Sequence, residues 1–151
     1  MSQAPASAPP QSAATDAHAA LLASPLVQSA ARWFWWIAGL SLVNTVLTLA
    51  GTHMQLVVGL GMTLVSDVTF GGASPLGFAI DALALAFFFF MGRQAQRGQL
   101  WAFYLGIAVY CIDALVYVRF QDWMAVAFHG VVIYFIVRGL LVLRKGPAAA
   151  R

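Results

Sequence analysis

Apolar residues fill long stretches of this chain on every side of a helical repeat, and short polar runs separate them. Four stretches stand out, at about residues 30–50, 75–91, 99–118 and 123–143. Each is close to the ~20 residues with which an α-helix crosses the hydrocarbon core of a bilayer. A soluble surface helix would alternate an apolar stripe with a charged face. These stretches carry almost no charge on any side.

The pattern predicts an all-α fold: a polytopic membrane four-helix bundle with an extra short element between spans 1 and 2. That element falls in residues 51–74. Its apolar run from Met54 to Val65 is too short to span, contains Gly59 and Gly61, and is followed by Asp67. It is expected to lie in the interface or to re-enter the membrane as a short helix. A fifth span over residues 53–70 is the alternative.

Local signals agree with these limits. Ser74 is suited to cap the second span and Pro75 to its first helical position. The cluster Trp33, Phe34, Trp35, Trp36 marks a membrane surface, because indoles favour the head-group region. Residues 1–27 are rich in Ala, Pro and Ser and are expected to be a disordered tail, with at most a weak helix from Asp16 to Leu22. They lack the basic stretch of a cleavable signal. Residues 28–145 form the four-helix domain, and residues 146–151 a cytoplasmic tail.

Composition strengthens the membrane reading. The chain has 151 residues, 62% hydrophobic and 9% charged, with mean hydropathy +0.82. A soluble domain carries about 25% charged residues. The net charge of +3 would suggest nucleic acid on a soluble protein. Here the cations gather at span ends, so the expected partners are the lipid bilayer, a second copy or another membrane protein, and no nucleic acid. With four spans and an inside N-terminus, Arg32, Arg93, Arg97, Arg144, Lys145 and Arg151 share the cytoplasmic side and Arg119 alone lies outside. That obeys the positive-inside rule, and five spans would break it. Arg138 lies opposite His129 on its helix and is expected to reach for the cytoplasmic head groups. The single cysteine, Cys111, excludes an intrachain disulfide and reads as a small apolar residue.

The candidate chemistry is a layer of four polar residues, Asn44, Asp81, Asp113 and His129. Counted from the outer ends of their helices, all four lie roughly 9–10 Å deep. Lipid penalises each of them, so each needs a partner. On the first span Ser41, Asn44, Thr45 and Thr48 make a polar stripe that should face other helices. On the second, Gly77, Asp81, Ala84 and Phe88 share a face, and on the third Gly106, Tyr110, Asp113 and Tyr117 do. On the fourth, Asp122, Val126, His129 and Ile133 are expected to. Gly77, Ala84 and Gly106 would allow close backbone approach, and the tyrosine hydroxyls are positioned to bond to Asp113 or a neighbour.

Several uses of such a layer are open. It can fasten the helices together. Asp81, Asp113 and His129, with Asn44 or water, suit a hard or borderline divalent ion that activates water, which makes the three both metal and catalytic candidates. Asp and His within spans also carry protons in transporters. Ser74 with His129 is a nucleophilic pair by residue type, although a helix cap accounts for Ser74. His53 and Asp67 are candidates to line an entrance from the outer loop. No phosphate loop, CxxC, HExxH or GxSxG motif is present, and no cofactor is indicated.

The stretch WAFYLGIAVYCIDALVYVRFQDWMAVAFHGVVIYFIVRGL resembles the C-terminal half of a family of small four-span bacterial integral membrane proteins. WFWWIAGLSLVNTV followed by VVGLGMTLVSD resembles their first half. The resemblance covers about residues 30–145 and implies a bacterial origin and a four-helix membrane fold; with the charge placement above, the expected location is the bacterial inner membrane with both termini cytoplasmic. It draws attention to Asn44, Asp67, Asp113, Asp122 and His129, and it implies no activity, cofactor or catalytic residue.

Overall fold

The computed structural model describes residues 10–51, 60–62, 65, 69 and 74–146, with only the backbone at 10–14. His53, Gly59, Asp67 and the tail beyond Gly146 lie outside the described residues. The described residues form five helices: α1 (Pro10–Leu22), α2 (Pro25–Leu49), α3 (Pro75–Gln96), α4 (Leu100–Arg119) and α5 (Trp123–Lys145). Residues 61, 62, 65 and 69, in the connection from α2 to α3, are helical as well.

Helix starts follow the local chemistry. Proline opens α2 and α3, where its missing N–H costs nothing. The Ser74 hydroxyl accepts from Gly77 N at 3.0 Å, as its place before Pro75 suggests. Asp122 does the same for α5, accepting from Ala125 N at 3.1 Å. The turn between α3 and α4 places Gly98 at φ +75°, a left-handed conformation that glycine adopts without strain.

Three limits differ from expectation. Residues 10–22 are helical where a disordered tail was expected. The segment is rich in alanine, the strongest helix former, and Leu21 at its end is buried. The first long helix also begins at Pro25 rather than near residue 30. Likewise α3 continues past Met91 to Gln96, because Arg93, Gln94, Ala95 and Gln96 are good helix formers that carry it past Gly92.

Three helices, α3, α4 and α5, are long and apolar enough to cross a membrane. At 25 residues α2 is the longest, but its indoles, Arg32 and the Ser41–Asn44–Thr45–Thr48 stripe dilute it. Apolar side chains also point outward. Leu83 on α3, Ile112 and Leu115 on α4 and Met124 on α5 are all more than half exposed, the distribution of helices that are hydrophobic all round.

Packing runs antiparallel between neighbours. Near its start α2 meets the late turns of α3 and α5: Trp35 stacks on Phe89 at 5.7 Å and Trp33 on Phe135 at 5.5 Å. Phe34 fills the centre, against Phe88 and Phe103. Gly106 lies directly beneath the Phe34 ring, and Gly139 against Ala30 and the Leu26 carbonyl, with no room for a Cβ. The close approach expected at Gly106 is therefore present, and Gly77 and Ala84 are buried too. α4 packs chiefly on α5 and more loosely on α3.

The buried faces of α3 and α4 are those read from the sequence: Gly77, Asp81, Ala84 and Phe88 on one, Gly106, Tyr110, Asp113 and Tyr117 on the other. On α5 the face is turned. It runs through Ala125, His129, Val132, Ile136 and Gly139, while Val126 and Ile133 are half-buried. Asp122 does not belong to it, because its carboxylate is spent on the helix start.

Candidate functional site: a carboxylate–imidazole clasp

The connection from α2 to α3 brings backbone N–H groups into the interior. Residues 61 and 62 are helical and Leu60 just precedes them. The first N–H groups of a helix have no acceptor within it. Buried backbone groups away from solvent must be met by protein. Ser41 on α2 and Asp113 on α4 meet them. Leu60 N donates to Ser41 Oγ at 3.1 Å. Gly61 N donates to Asp113 Oδ2 and Met62 N to Asp113 Oδ1, both at 2.8 Å. Asp113 therefore caps a helical segment far away in sequence, and its negative charge suits that end of the helix dipole.

Gly61 is the residue that permits this. A Cβ there would lie 2.9 Å from Val116 Cβ, 3.0 Å from the Asp113 carbonyl oxygen and 3.0 Å from Tyr117 Cε2. Gly61→Ala is expected to cost about 1–3 kcal/mol, typical of overpacking a filled interior. Thermal unfolding of the detergent-solubilised variant checks this. A midpoint equal to that of the parent would show that the segment does not press on α4.

His129 completes the clasp. It has no exposed surface, and Asp113 is 3% exposed. His129 Nε2 lies 3.1 Å from Asp113 Oδ2, and Nδ1 lies 2.8 Å from the Ala125 carbonyl oxygen. A carbonyl only accepts, so Nδ1 carries a hydrogen and donates. One further proton then lies between Nε2 and Oδ2. Whichever atom holds it, the pair has no net charge, which lets two ionisable groups share a dry interior. Tyr110 and Tyr117, one turn to either side of Asp113, place their rings on the imidazole at 4.3 and 5.1 Å between centroids. The sequence suggested their hydroxyls as partners for Asp113 or a neighbour; the structure adds that their rings hold His129.

The four-residue layer thus resolves into two parts. Asp113 and His129 join α4 to α5. Asp81, on α3, accepts from the Thr45 hydroxyl of α2 at 3.1 Å, a hydrogen that Thr45 shares with the Ser41 carbonyl at 3.2 Å. Residues 60–62 link the two parts through Ser41. Asn44 is half-buried on the same helix as Thr45. Ser74 is engaged as a helix cap and not with His129.

The arrangement does not suit the metal reading of Asp81, Asp113 and His129. Among the described residues no group of three or more His, Cys, Asp or Glu is placed to hold an ion. The donor atoms of Asp113 and His129 are already engaged by the chain itself. A groove of about 200 Å³ reaches Asp113 between Met62, Val65, Val109, Ile112 and Val116, but its lining is otherwise apolar and does not include His129.

Sequence reasoning missed the backbone donors of residues 60–62. The available signal was Gly61 within an apolar run too short to span, together with a carboxylate in a span that needed N–H partners. Comparison of the chain with protein-family models, with curated proteins and with solved structures finds no match.

Proposed function

We propose that the chain is a multi-pass protein of the bacterial inner membrane with a structural or accessory role. In this reading α2, α3, α4 and α5 are four spans of a membrane bundle, both termini are cytoplasmic, and residues 60–62 begin a re-entrant segment. The outward apolar side chains of α3, α4 and α5 support the membrane setting. The basic residues support the orientation. Arg32, Arg93, Arg97, Arg144 and Lys145 fall at the end where α2 and α4 begin and α3 and α5 finish, whereas Arg119 falls at the other.

One observation carries the non-enzymatic role. Both Asp113 oxygens and both His129 nitrogens are engaged by partners within the chain. A catalytic carboxylate or imidazole presents an atom to substrate, whereas these four atoms already meet partners within the chain. The polar layer then serves to organise the bundle and to seat the re-entrant segment.

A topology reporter tests the reading. A fluorescent domain that matures only in the cytoplasm, fused after Arg97 or after Lys145, is expected to be fluorescent at both sites. Fused after Phe120, it is expected to be dark. Fluorescence after Phe120 combined with darkness after Arg97 would overturn the proposed orientation, and release of the chain from membranes by high salt would overturn the spans.

A further inference from the structure

We propose that the outward face of α5 through Ala127, Gly130, Tyr134 and Arg138 docks a membrane-spanning helix of another protein, one that carries an aspartate or glutamate at mid-span. This inference rests on the membrane reading above. Arg138 is exposed. Its guanidinium carbon lies 5.6 Å from the centre of the Tyr134 ring, and Tyr134 is the middle residue of α5 (Trp123–Lys145). The charge therefore sits near the centre of the span, not at the cytoplasmic head groups that the sequence suggested. Reaching them would take it about 10 Å toward Lys145. Cα–Cβ bonds on a helix tilt toward its N-terminus, which is the other way.

Lipid penalises a cation at that depth, and charges within spans pair with an opposite charge or turn into the protein. Arg138 faces outward. Among the described residues the one ion pair is Asp113–His129, inside the protein, so no described carboxylate neutralises Arg138. Its neighbours on this face are apolar or aromatic: Tyr134 is 57% exposed and Leu141 42%. The face of an aromatic ring attracts a cation but does not cancel its charge. The same face has room for a helix. A Cβ at Gly130, one turn before Tyr134, would meet nothing within 4 Å, and Ala127 before it is exposed as well. Small residues let a second backbone come close, which brings its side chains within reach of the guanidinium.

Charge complementarity selects the occupant. The acids of this chain are Asp16, Asp67, Asp81, Asp113 and Asp122. Asp81 and Asp113 are buried, Asp122 caps the far end of α5, and Asp16 and Asp67 belong to segments outside the four spans. A second copy in the same orientation would set Arg138 against Arg138 at one level and bring no carboxylate to it. A different chain with an acid at mid-span meets the guanidinium through two parallel N–H bonds and leaves the pair without net charge.

The test uses the full chain in phosphatidylcholine vesicles, with leucine-rich membrane-spanning peptides as probes. One peptide carries a glutamate at its centre, a second carries it near one end, and a third has leucine throughout. Association is read by fluorescence energy transfer between the chain and each peptide. The central glutamate is expected to bind about tenfold more tightly than leucine. Arg138→Leu is expected to remove that difference, and Arg138→Lys to keep part of it. Equal binding of the three peptides, or a difference unaltered in Arg138→Leu, would overturn the inference. So would tightest binding of the end-placed glutamate, which would put the guanidinium at the head groups, or self-association of the chain that Arg138→Leu abolishes, which would give the face to a second copy. Release of the chain from the vesicles by high salt would instead overturn the membrane reading beneath it.

Discussion

Asp113→Ala is expected to destabilise the protein by about 3–5 kcal/mol, the cost of breaking a buried ion-paired network by removing one partner. Three donors lose their acceptor together: Gly61 N, Met62 N and His129 Nε2. Asp113→Asn keeps the shape but replaces one acceptor oxygen with an amide that can only donate. It is expected to cost about 2–3 kcal/mol, because a hydrogen bond to a charged group is lost and two donors are set against each other. Thermal unfolding in detergent, followed by the near-ultraviolet signal of the tryptophans, reads both variants. A stable and correctly assembled Asp113→Asn protein that has lost a biological activity would instead assign Asp113 to chemistry.

The second large effect is at His129. Truncation to alanine empties the space between Tyr110 and Tyr117 and strips Asp113 Oδ2 of one of its two partners. The expected loss is about 3–5 kcal/mol, comparable with removing a buried aromatic ring. His129→Phe restores a ring between the tyrosines without restoring the hydrogen bonds, so it is expected to recover part of the loss. If the two variants prove equally unstable, the proton-sharing contact carries the effect and ring packing does not. If His129→Phe matches the parent, the contact with Asp113 contributes nothing and the clasp reduces to packing.

Much of this was legible because it depends on periodicity. Gly106, Tyr110, Asp113 and Tyr117 lie on one helix at spacings of four, three and four, so their common face follows from geometry once the helix is granted. The same holds for Gly77, Asp81, Ala84 and Phe88. Ser74 before Pro75 announced a helix start through its side-chain chemistry. The face of α5 was misplaced by Asp122, which has the right spacing to join it but lies at the cap, where its carboxylate has a local task.

Partner choice was not legible. Asp81, Asp113 and His129 invite grouping because they are the carboxylates and the imidazole within their spans. In the structure Asp81 turns to a hydroxyl and Asp113 to backbone N–H groups. Every residue but proline offers such a donor, so beyond the hint of Gly61 in a short apolar run the sequence does not say which N–H will lack an acceptor. Only the insertion of residues 60–62 between α2 and α4 creates that need. The helix at Pro10–Leu22 was hidden differently, since its alanines favour helix while the prolines around it suggest a tail.

The most direct measurement is hydrogen exchange of the Gly61 and Met62 amides by NMR, on the full chain in a lipid nanodisc. Slow exchange at both positions is expected, together with a marked acceleration in Asp113→Ala that leaves the amides of α5 protected. Rapid exchange at Gly61 and Met62 in the unaltered protein, or protection that persists without the Asp113 carboxylate, would contradict the clasp.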